Sequence, residues 1–77
     1  MINVLFFASL REQMGKDKLT LDLPSQSVAS LKQHMSQTYG LTGCEAMAVS
    51  INQNYATDSD LVNPGDTVAF IPPVGGG

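Results

Sequence analysis

The apolar residues of this chain gather near its two ends and along one helical stripe between them. Residues 2–7 form a nearly unbroken run of β-forming side chains, which is typical of a strand buried on both faces. Residues 67–71 are similar and precede Pro72 and Pro73, whose missing N–H groups end a strand ladder. We therefore predict that the first and last strands lie side by side in the middle of a sheet.

The segments between these two strands have weaker patterns. Residues 8–15 predict a single helical turn, and residues 18–23 alternate leucines with polar residues like a half-buried strand. A third strand is predicted at residues 48–52, followed by a turn and a short segment around Tyr55. Residues 63–66, Asn-Pro-Gly-Asp, place proline and glycine at the second and third positions of a β-turn.

One longer helix is predicted after Pro24. Ser25 or Ser27 is suited to cap it, because a serine hydroxyl accepts a hydrogen bond from a free N–H group at a helix N-terminus. Gly40 is suited to end it. Apolar residues at spacings of three and four predict one buried stripe. These residues are Val28, Leu31, Met35 and Tyr39.

The order of these elements predicts an α+β fold. The simplest arrangement is a mixed sheet with the main helix packed across one face, which is the ubiquitin-like β-grasp arrangement. We expect one domain over residues 1–77, with residues 72–77 as a flexible C-terminal tail.

Size and charge limit the classes of function. A chain of 77 residues has a thin core and little stability to spare for a deep internal active site. Its net charge of -3 offers no basic patch for phosphates, so we expect no nucleic-acid partner. The bulk charge by itself favours a protein partner with a basic docking surface.

The single cysteine, Cys44, excludes an internal disulfide and a multi-cysteine zinc site, and it fits a reducing, cytoplasmic location. The apolar start lacks the basic region of a signal peptide and is too short to span a membrane. We therefore expect neither secretion nor a membrane partner.

Side chains that commonly do chemistry are few and isolated. The sequence lacks the zinc-protease, dinucleotide-binding, P-loop and CxxC motifs, so we expect no metal and no cofactor bound by this chain. His34 is predicted to lie at the helix surface or boundary, and Cys44 in a loop or in the core. Carboxylates at turns should bond local N–H groups, and methionines should fill gaps in the core. The carboxylates are Asp58, Asp60 and Asp66, and the methionines are Met14, Met35 and Met47.

The last six residues are the strongest candidate for function. Pro72-Pro73-Val74-Gly75-Gly76-Gly77 follows the last predicted strand directly. Six extended residues reach at most about 20 Å, and glycines let a backbone pass through a channel too narrow for side chains. A frayed terminus is the plain alternative, because chain ends are often disordered. The rigid proline pair and the carboxylate of Gly77 at the tip favour a reacting group at the end of the tail.

The C-terminal carboxylate of Gly77 would have to be activated before it reacts, because a carboxylate is a poor electrophile. Adenylation would give the carboxylate a phosphate leaving group, after which a sulfur nucleophile would produce a thiocarboxylate. A thiocarboxylate on a tether, delivered into a partner's pocket, makes sulfur transfer effectively intramolecular.

Several segments together resemble a known family. They are Ile2-Asn3-Val4-Leu5-Phe6-Phe7-Ala8, Leu10-Arg11-Glu12, Leu31-Lys32-Gln33-His34-Met35, Asn52-Gln53 and Gly65-Asp66-Thr67-Val68-Ala69-Phe70-Ile71-Pro72-Pro73-Val74, followed by the Gly-Gly end. Over essentially its whole length the chain resembles the sulfur-carrier small subunits of molybdopterin synthase. Two positions depart from the family pattern: Ile71 stands where a second Phe is frequent, and Gly75 stands where a small residue with a Cβ is frequent.

The resemblance implies a reaction cycle and its partners. An adenylyltransferase would use ATP to activate Gly77, which follows Gly76, and a sulfur donor would convert it to a thiocarboxylate. The loaded tail would supply dithiolene sulfurs to cyclic pyranopterin monophosphate inside the large synthase subunit, in a heterotetramer of two carriers and two large subunits. The family's docking surfaces correspond here to Phe7, Arg11, Tyr55, Phe70, Ile71, Pro73, Val74 and Gly75.

Three alternatives stay open at this point. A thiamine-biosynthesis sulfur carrier shares the fold and the Gly-Gly end, although the Phe-Phe strand and the Phe-Ile-Pro-Pro-Val segment favour molybdopterin synthesis. A ubiquitin-like modifier would be joined to target lysines through Gly77. A plain interaction module would make no use of the tail.

Overall fold

The computed structural model describes residues 1–73, which contain seven strands and two α-helices. In chain order the elements are β1 (Ile2–Phe6), α1 (Ser9–Met14), β2 (Lys18–Leu21), β3 (Gln26–Ser27), α2 (Val28–Tyr39), a 3₁₀ turn (Cys44–Ala46), β4 (Ala48–Ile51), β5 (Asn54–Ala56), β6 (Leu61–Val62) and β7 (Thr67–Ile71). The predicted elements are therefore present, and two short strands, β3 and β6, are additional.

Strands β1 and β7 lie next to each other in a five-stranded mixed sheet with the order β2-β1-β7-β4-β5. They run parallel, with Phe6 opposite Phe70, whereas β1 with β2 and β4 with both β5 and β7 are antiparallel. Strands β3 and β6 form a separate small ladder. The predicted α+β arrangement, with the terminal strands paired in the middle of a β-grasp sheet, is confirmed.

One face of this sheet packs against α2 and forms the core. Val4 and Phe6 of β1 and Phe70 of β7 join Leu31 and Met35 of α2 in one buried cluster. The prediction that β1 is buried on both faces is wrong, because its residues alternate between buried and half-buried positions. The reason is that α2 covers only one side of the sheet, so the apolar residues on the other side remain partly in contact with solvent.

At the start of helix α2, the capping serine and a loop distant in sequence accept hydrogen bonds from the free N–H groups of the first turn. The Ser27 Oγ accepts a hydrogen bond from the Ser30 N–H at 3.1 Å, and carbonyls of the 58–60 loop accept from Val28 and Ala29. The helix ends at Gly40, which has a left-handed φ of 69°. Tyr39 is 41% exposed, so its assignment to the buried stripe is wrong: the last helical turn extends beyond the core.

Two turns place the ends of β4 and β7. Residues 63–66 form the predicted turn, with Gly65 at a φ of 97° and the Asp66 N–H donating to the Asn63 carbonyl at 3.0 Å. Between β4 and β5, Asn52 and Gln53 both have positive φ. The Asn52 side chain offsets this conformation: its Oδ1 accepts from the Thr67 N–H and its Nδ2 donates to Asp66 Oδ1.

The connection between β1 and α1 contains a strained residue. Ala8 has φ 52° and ψ -129°. Residues that carry a Cβ rarely adopt this backbone conformation. Leu10, only 1% exposed, anchors α1 to the core, and Gly15 ends the helix in a left-handed conformation. The strain at Ala8 is therefore maintained by packing on both sides of it.

Candidate functional site

The sheet face opposite α2 is the candidate site, and strand register defines it. Leu5 pairs with both Lys18 and Ala69, while Ser50 pairs with both Ala69 and Tyr55. Because paired residues point to the same side of a sheet, these side chains form one row across all five strands. Tyr55, at one end of the row, is 80% exposed. We call this the open sheet face.

A groove of about 470 Å³ crosses the open sheet face. Small side chains form its floor, since Ala69, Ser50 and Thr67 occupy the central strands, and Phe7 and Ile71 border it at one end. The residues that line it are Leu5, Phe7, Ser50, Asn52, Gln53, Thr67, Ala69 and Ile71. The groove is mostly apolar, with the hydroxyl and amide groups of Ser50, Thr67, Asn52 and Gln53 among its lining.

Five of the predicted docking residues lie on the open sheet face or near its edge. Phe7 is 47% exposed and Tyr55 is 80% exposed, and Ile71 borders the groove. Arg11, exposed on α1, lines a second groove of about 220 Å³ together with Phe7. Pro73 is exposed just beyond β7. The structure thus brings together residues that are far apart in sequence.

Phe70 does not belong to this surface. Its side chain is fully buried, at 0% exposure, because it points from β7 towards α2. The prediction that Phe70 offers apolar area to a partner is therefore wrong, and Phe70 is a core residue. Val74, Gly75, Gly76 and Gly77 lie outside the described residues.

The chain reaches Pro73 at the same end of the sheet as α1. Because β1 and β7 are parallel, both end at this edge, and Phe7, Ala8 and Arg11 follow β1 there. Pro73 therefore follows β7 at the end of the sheet where Phe7 and Arg11 line a common groove.

Cys44 and His34 do not form a catalytic pair. Cys44 is 2% exposed, and its thiol lies 3.6 Å from the Leu41 carbonyl oxygen. Burial, with the nearby Glu45 carboxylate adding to it, raises the pKa of the Cys44 thiol, and the thiolate is therefore disfavoured. His34 is half-buried on α2 and packs edge-on against Tyr39. The predictions of a core thiol and of a boundary histidine are confirmed.

The turn carboxylates have structural partners. Asp60 and Asp66 accept hydrogen bonds from the N–H groups of Thr57 and Asn63, as predicted. Hydrogen bonds from Asn63 and Asn52 hold the pKa of Asp66 below its usual value. For the Asp58 side chain the prediction is wrong, since it pairs with Lys32 at 2.9 Å instead.

No cluster suited to a metal ion occurs within residues 1–73. Met35 and Met47 are buried and Met14 packs against the core, as predicted for residues that fill core gaps. In the same stretch of chain, neither helix combines the length and the apolar character needed to cross a membrane.

The floor of the sheet groove could not be identified from the sequence pattern. Ser50, Thr67 and Ala69 are ordinary strand residues, and they form a groove only because the register places them beside Leu5 and between larger side chains. The available signal was the geometry of a strand, in which successive side chains point to opposite faces: once Phe6 is assigned to the core, Leu5 and Phe7 must point away from it.

The comparisons with known proteins give a consistent result. The sequence profile of the ThiS family matches residues 4–77. The chain is 35% identical to the molybdopterin synthase sulfur carrier subunit of Haemophilus influenzae and 37% identical to that of Escherichia coli. Each alignment spans 81 positions and covers 100% of both chains.

Solved structures share the fold. A putative molybdopterin converting factor subunit 1 from Pyrococcus furiosus has a TM-score of 0.79 at 23% identity, covering 95% of this chain and 97% of that one. SAMP1 from Haloferax volcanii gives 0.77 at 21% identity, with 99% and 98% covered. A complex of subunits 1 and 2 of the molybdopterin-converting factor from Helicobacter pylori gives 0.68 at 19% identity, with 99% and 97% covered.

Proposed function

This chain belongs to the ThiS family, and on that premise we propose that it is the sulfur-carrier subunit of a molybdopterin synthase. The observation that supports this most is the match, at 35% and 37% identity and over the full length of both chains, to two subunits of that name. In this proposal the chain acts as one subunit of a sulfur-transfer complex.

The reacting group in this proposal is the carboxylate of Gly77, presented on Val74, Gly75 and Gly76. A partner adenylyltransferase uses ATP to form an acyl adenylate and releases pyrophosphate. A sulfur nucleophile then attacks the carbonyl carbon, AMP leaves with the bonding electron pair, and the terminal group becomes a thiocarboxylate. ATP binds to the partner, since this chain lacks a phosphate-binding motif.

The thiocarboxylate sulfur then forms a bond to a carbon of cyclic pyranopterin monophosphate in the large subunit. Water cleaves the acyl carbon–sulfur bond, which leaves the sulfur on the substrate and restores the carboxylate of Gly77. Six residues beyond Ile71 span at most about 20 Å when extended, which is enough to enter a neighbouring subunit's pocket. Glycines at the tip suit a narrow channel, because they carry no side chain that would block it.

Docking in this proposal uses the open sheet face. Phe7, Tyr55 and Ile71 supply exposed apolar area, and Arg11 supplies a charge at its edge. Two such carriers would bind two large subunits, and the complex with the adenylyltransferase would be transient. The related fold in the Helicobacter pylori structure is found in a complex of subunits 1 and 2, which supports a large-subunit partner.

The test is to follow the terminal group and the product together. Protein purified with its activating enzyme, ATP and a sulfur donor should gain the mass difference between sulfur and oxygen, and fragmentation should place it on Gly77. Deleting Gly77 should abolish molybdopterin formation in a reconstituted assay while the circular dichroism spectrum stays unchanged. Normal product formation by the truncated protein would show that the proposal is wrong.

The products of the loaded protein distinguish the alternative functions. A ubiquitin-like modifier would leave stable isopeptide bonds on lysines in a cell lysate with ATP, whereas a carrier would be recovered as a labile thiocarboxylate. A thiamine carrier would be loaded in the same way but would not yield molybdopterin with the large subunit.

A further inference from the structure

The positive charges of this acidic chain are concentrated at one end of the sheet. Arg11, Lys16 and Lys18 are three of its four cations, and all three are exposed. They share the segment between β1 and the start of β2 with two carboxylates, Glu12 and Asp17. The rest of the chain has one cation and five carboxylates. The charge distribution is therefore strongly uneven, although the net charge is only -3.

These cations lie at the end of the sheet where β7 ends, with β1 between β2 and β7. Lys18 pairs with Leu5, and the Phe6 N–H donates to the Asp17 carbonyl, so β2 starts at the edge where β1 and β7 both finish. Arg11 and Lys18 line one groove together with Phe7, and Arg11 and Lys16 line an adjoining one. We call Arg11, Lys16 and Lys18 the cationic edge.

The three cations are available to a partner. Within residues 1–73 the structure forms one ion pair, between Lys32 and Asp58, and it belongs to α2 on the other side of the sheet. Asp17 lines both grooves and Glu12 lines one of them, but neither forms an ion pair with the cationic edge. Among residues 1–73, therefore, no carboxylate forms an ion pair with the cationic edge.

The geometry points to a protein partner whose surface around the tail's entry is acidic, with its carboxylates facing the cationic edge. This inference rests on the proposed function, because it takes the end of β7 as the part that the partner receives. It reverses what the net charge alone favours, namely a basic docking surface. Charges at an interface rim act mainly on the rate and orientation of encounter, so the cationic edge would align the tail with its channel before apolar contacts form.

A matched pair of variants tests this inference. Lys16→Gln/Lys18→Gln removes two charges from the cationic edge, and Gln33→Glu/Gln37→Glu lowers the net charge equally on exposed positions of α2, away from the open sheet face. Association of each with the molybdopterin synthase large subunit would be followed by stopped-flow fluorescence over a range of salt concentrations. Circular dichroism would establish that both variants are folded.

We expect Lys16→Gln/Lys18→Gln, the lysine variant, to associate about tenfold more slowly than the wild type at low salt. This difference should shrink as salt screens the charges. The control, Gln33→Glu/Gln37→Glu, should associate at the wild-type rate. Faster association of both variants would indicate a basic partner surface and overturn the inference. Unchanged association of the lysine variant would also overturn it, while leaving the proposed function intact. Failure of the wild-type chain to bind the large subunit at all would instead contradict the proposed function, and this inference with it.

Discussion

Phe6 and Phe7 are adjacent in sequence but face opposite sides of the sheet. Phe6 is 1% exposed and packs with Phe70 in the core, whereas Phe7 is 47% exposed and borders the sheet groove. The alternation of side-chain direction along a strand thus places one aromatic residue in the core and the next on the open sheet face. Substitution of each residue should therefore give a different phenotype.

Phe70→Ala should act on folding. Removing a fully buried phenylalanine typically costs about 3–5 kcal/mol of unfolding free energy, because apolar contacts are lost and a cavity remains. Chemical denaturation followed by circular dichroism would measure this. Phe70→Leu, which keeps most of the volume, should lose much less, and an unfolding free energy for Phe70→Ala close to the wild type would contradict the assignment of Phe70 to the core.

Phe7→Ala should act on docking. Its half-exposed ring adds little to the core, so we expect a stability change within about 1 kcal/mol and a loss of affinity for the large subunit of about tenfold or more. Isothermal titration calorimetry with the folded variant would measure the affinity. If that affinity equals the wild type's, the open sheet face is not the docking surface.

Ala8→Gly should make the protein more stable. A non-glycine residue in a sparsely populated backbone conformation costs about 1–3 kcal/mol, and glycine removes this strain at an entropic cost of about 0.5–1 kcal/mol. The net gain should be about 1 kcal/mol in a denaturation experiment. The matched control is Ala29→Gly on the exposed side of α2, which should be destabilising, so a loss of stability in both variants would mean that Ala8 is not strained.

The central features of the fold were predictable because they depend on local chemistry. The proline pair after β7, the serine cap of α2 and the Asn-Pro-Gly-Asp turn each satisfy or remove particular backbone groups, and the structure has them where the sequence places them. The side-by-side placement of β1 and β7 followed from their shared apolar character, whereas their parallel direction comes from the structure. Such signals are contained within a few residues.

The features that the sequence did not predict depend on contacts between distant segments. Tyr39 continues the helical period of α2, but period alone cannot say where the facing sheet ends. Asn52 has a positive φ because its side chain bonds Thr67 and Asp66. Phe70 was assigned to a surface by resemblance, although its position in the register puts it in the core. Some residues of the candidate site could therefore be named from the sequence, but their arrangement in space could not.

Stability should depend on pH through Asp66. Its Oδ2 accepts a 2.8 Å hydrogen bond from the Asn63 N–H and its Oδ1 a 3.0 Å bond from Asn52 Nδ2, and these bonds lower its pKa in the folded state from the usual 3.8. A lowered folded pKa means that the carboxylate stabilises the fold above the unfolded pKa, and that this contribution disappears as pH falls through the folded pKa. Asp66→Asn should therefore be less stable than the wild type at neutral pH, with the difference narrowing in acid. Urea denaturation at a series of pH values from neutral to acid would measure the difference in unfolding free energy. The control is Asp22→Asn, because it removes an exposed carboxylate that forms no hydrogen bond within residues 1–73. A difference between wild type and Asp66→Asn that stays constant down to the lowest pH would show that the charge of Asp66 does not stabilise the turn.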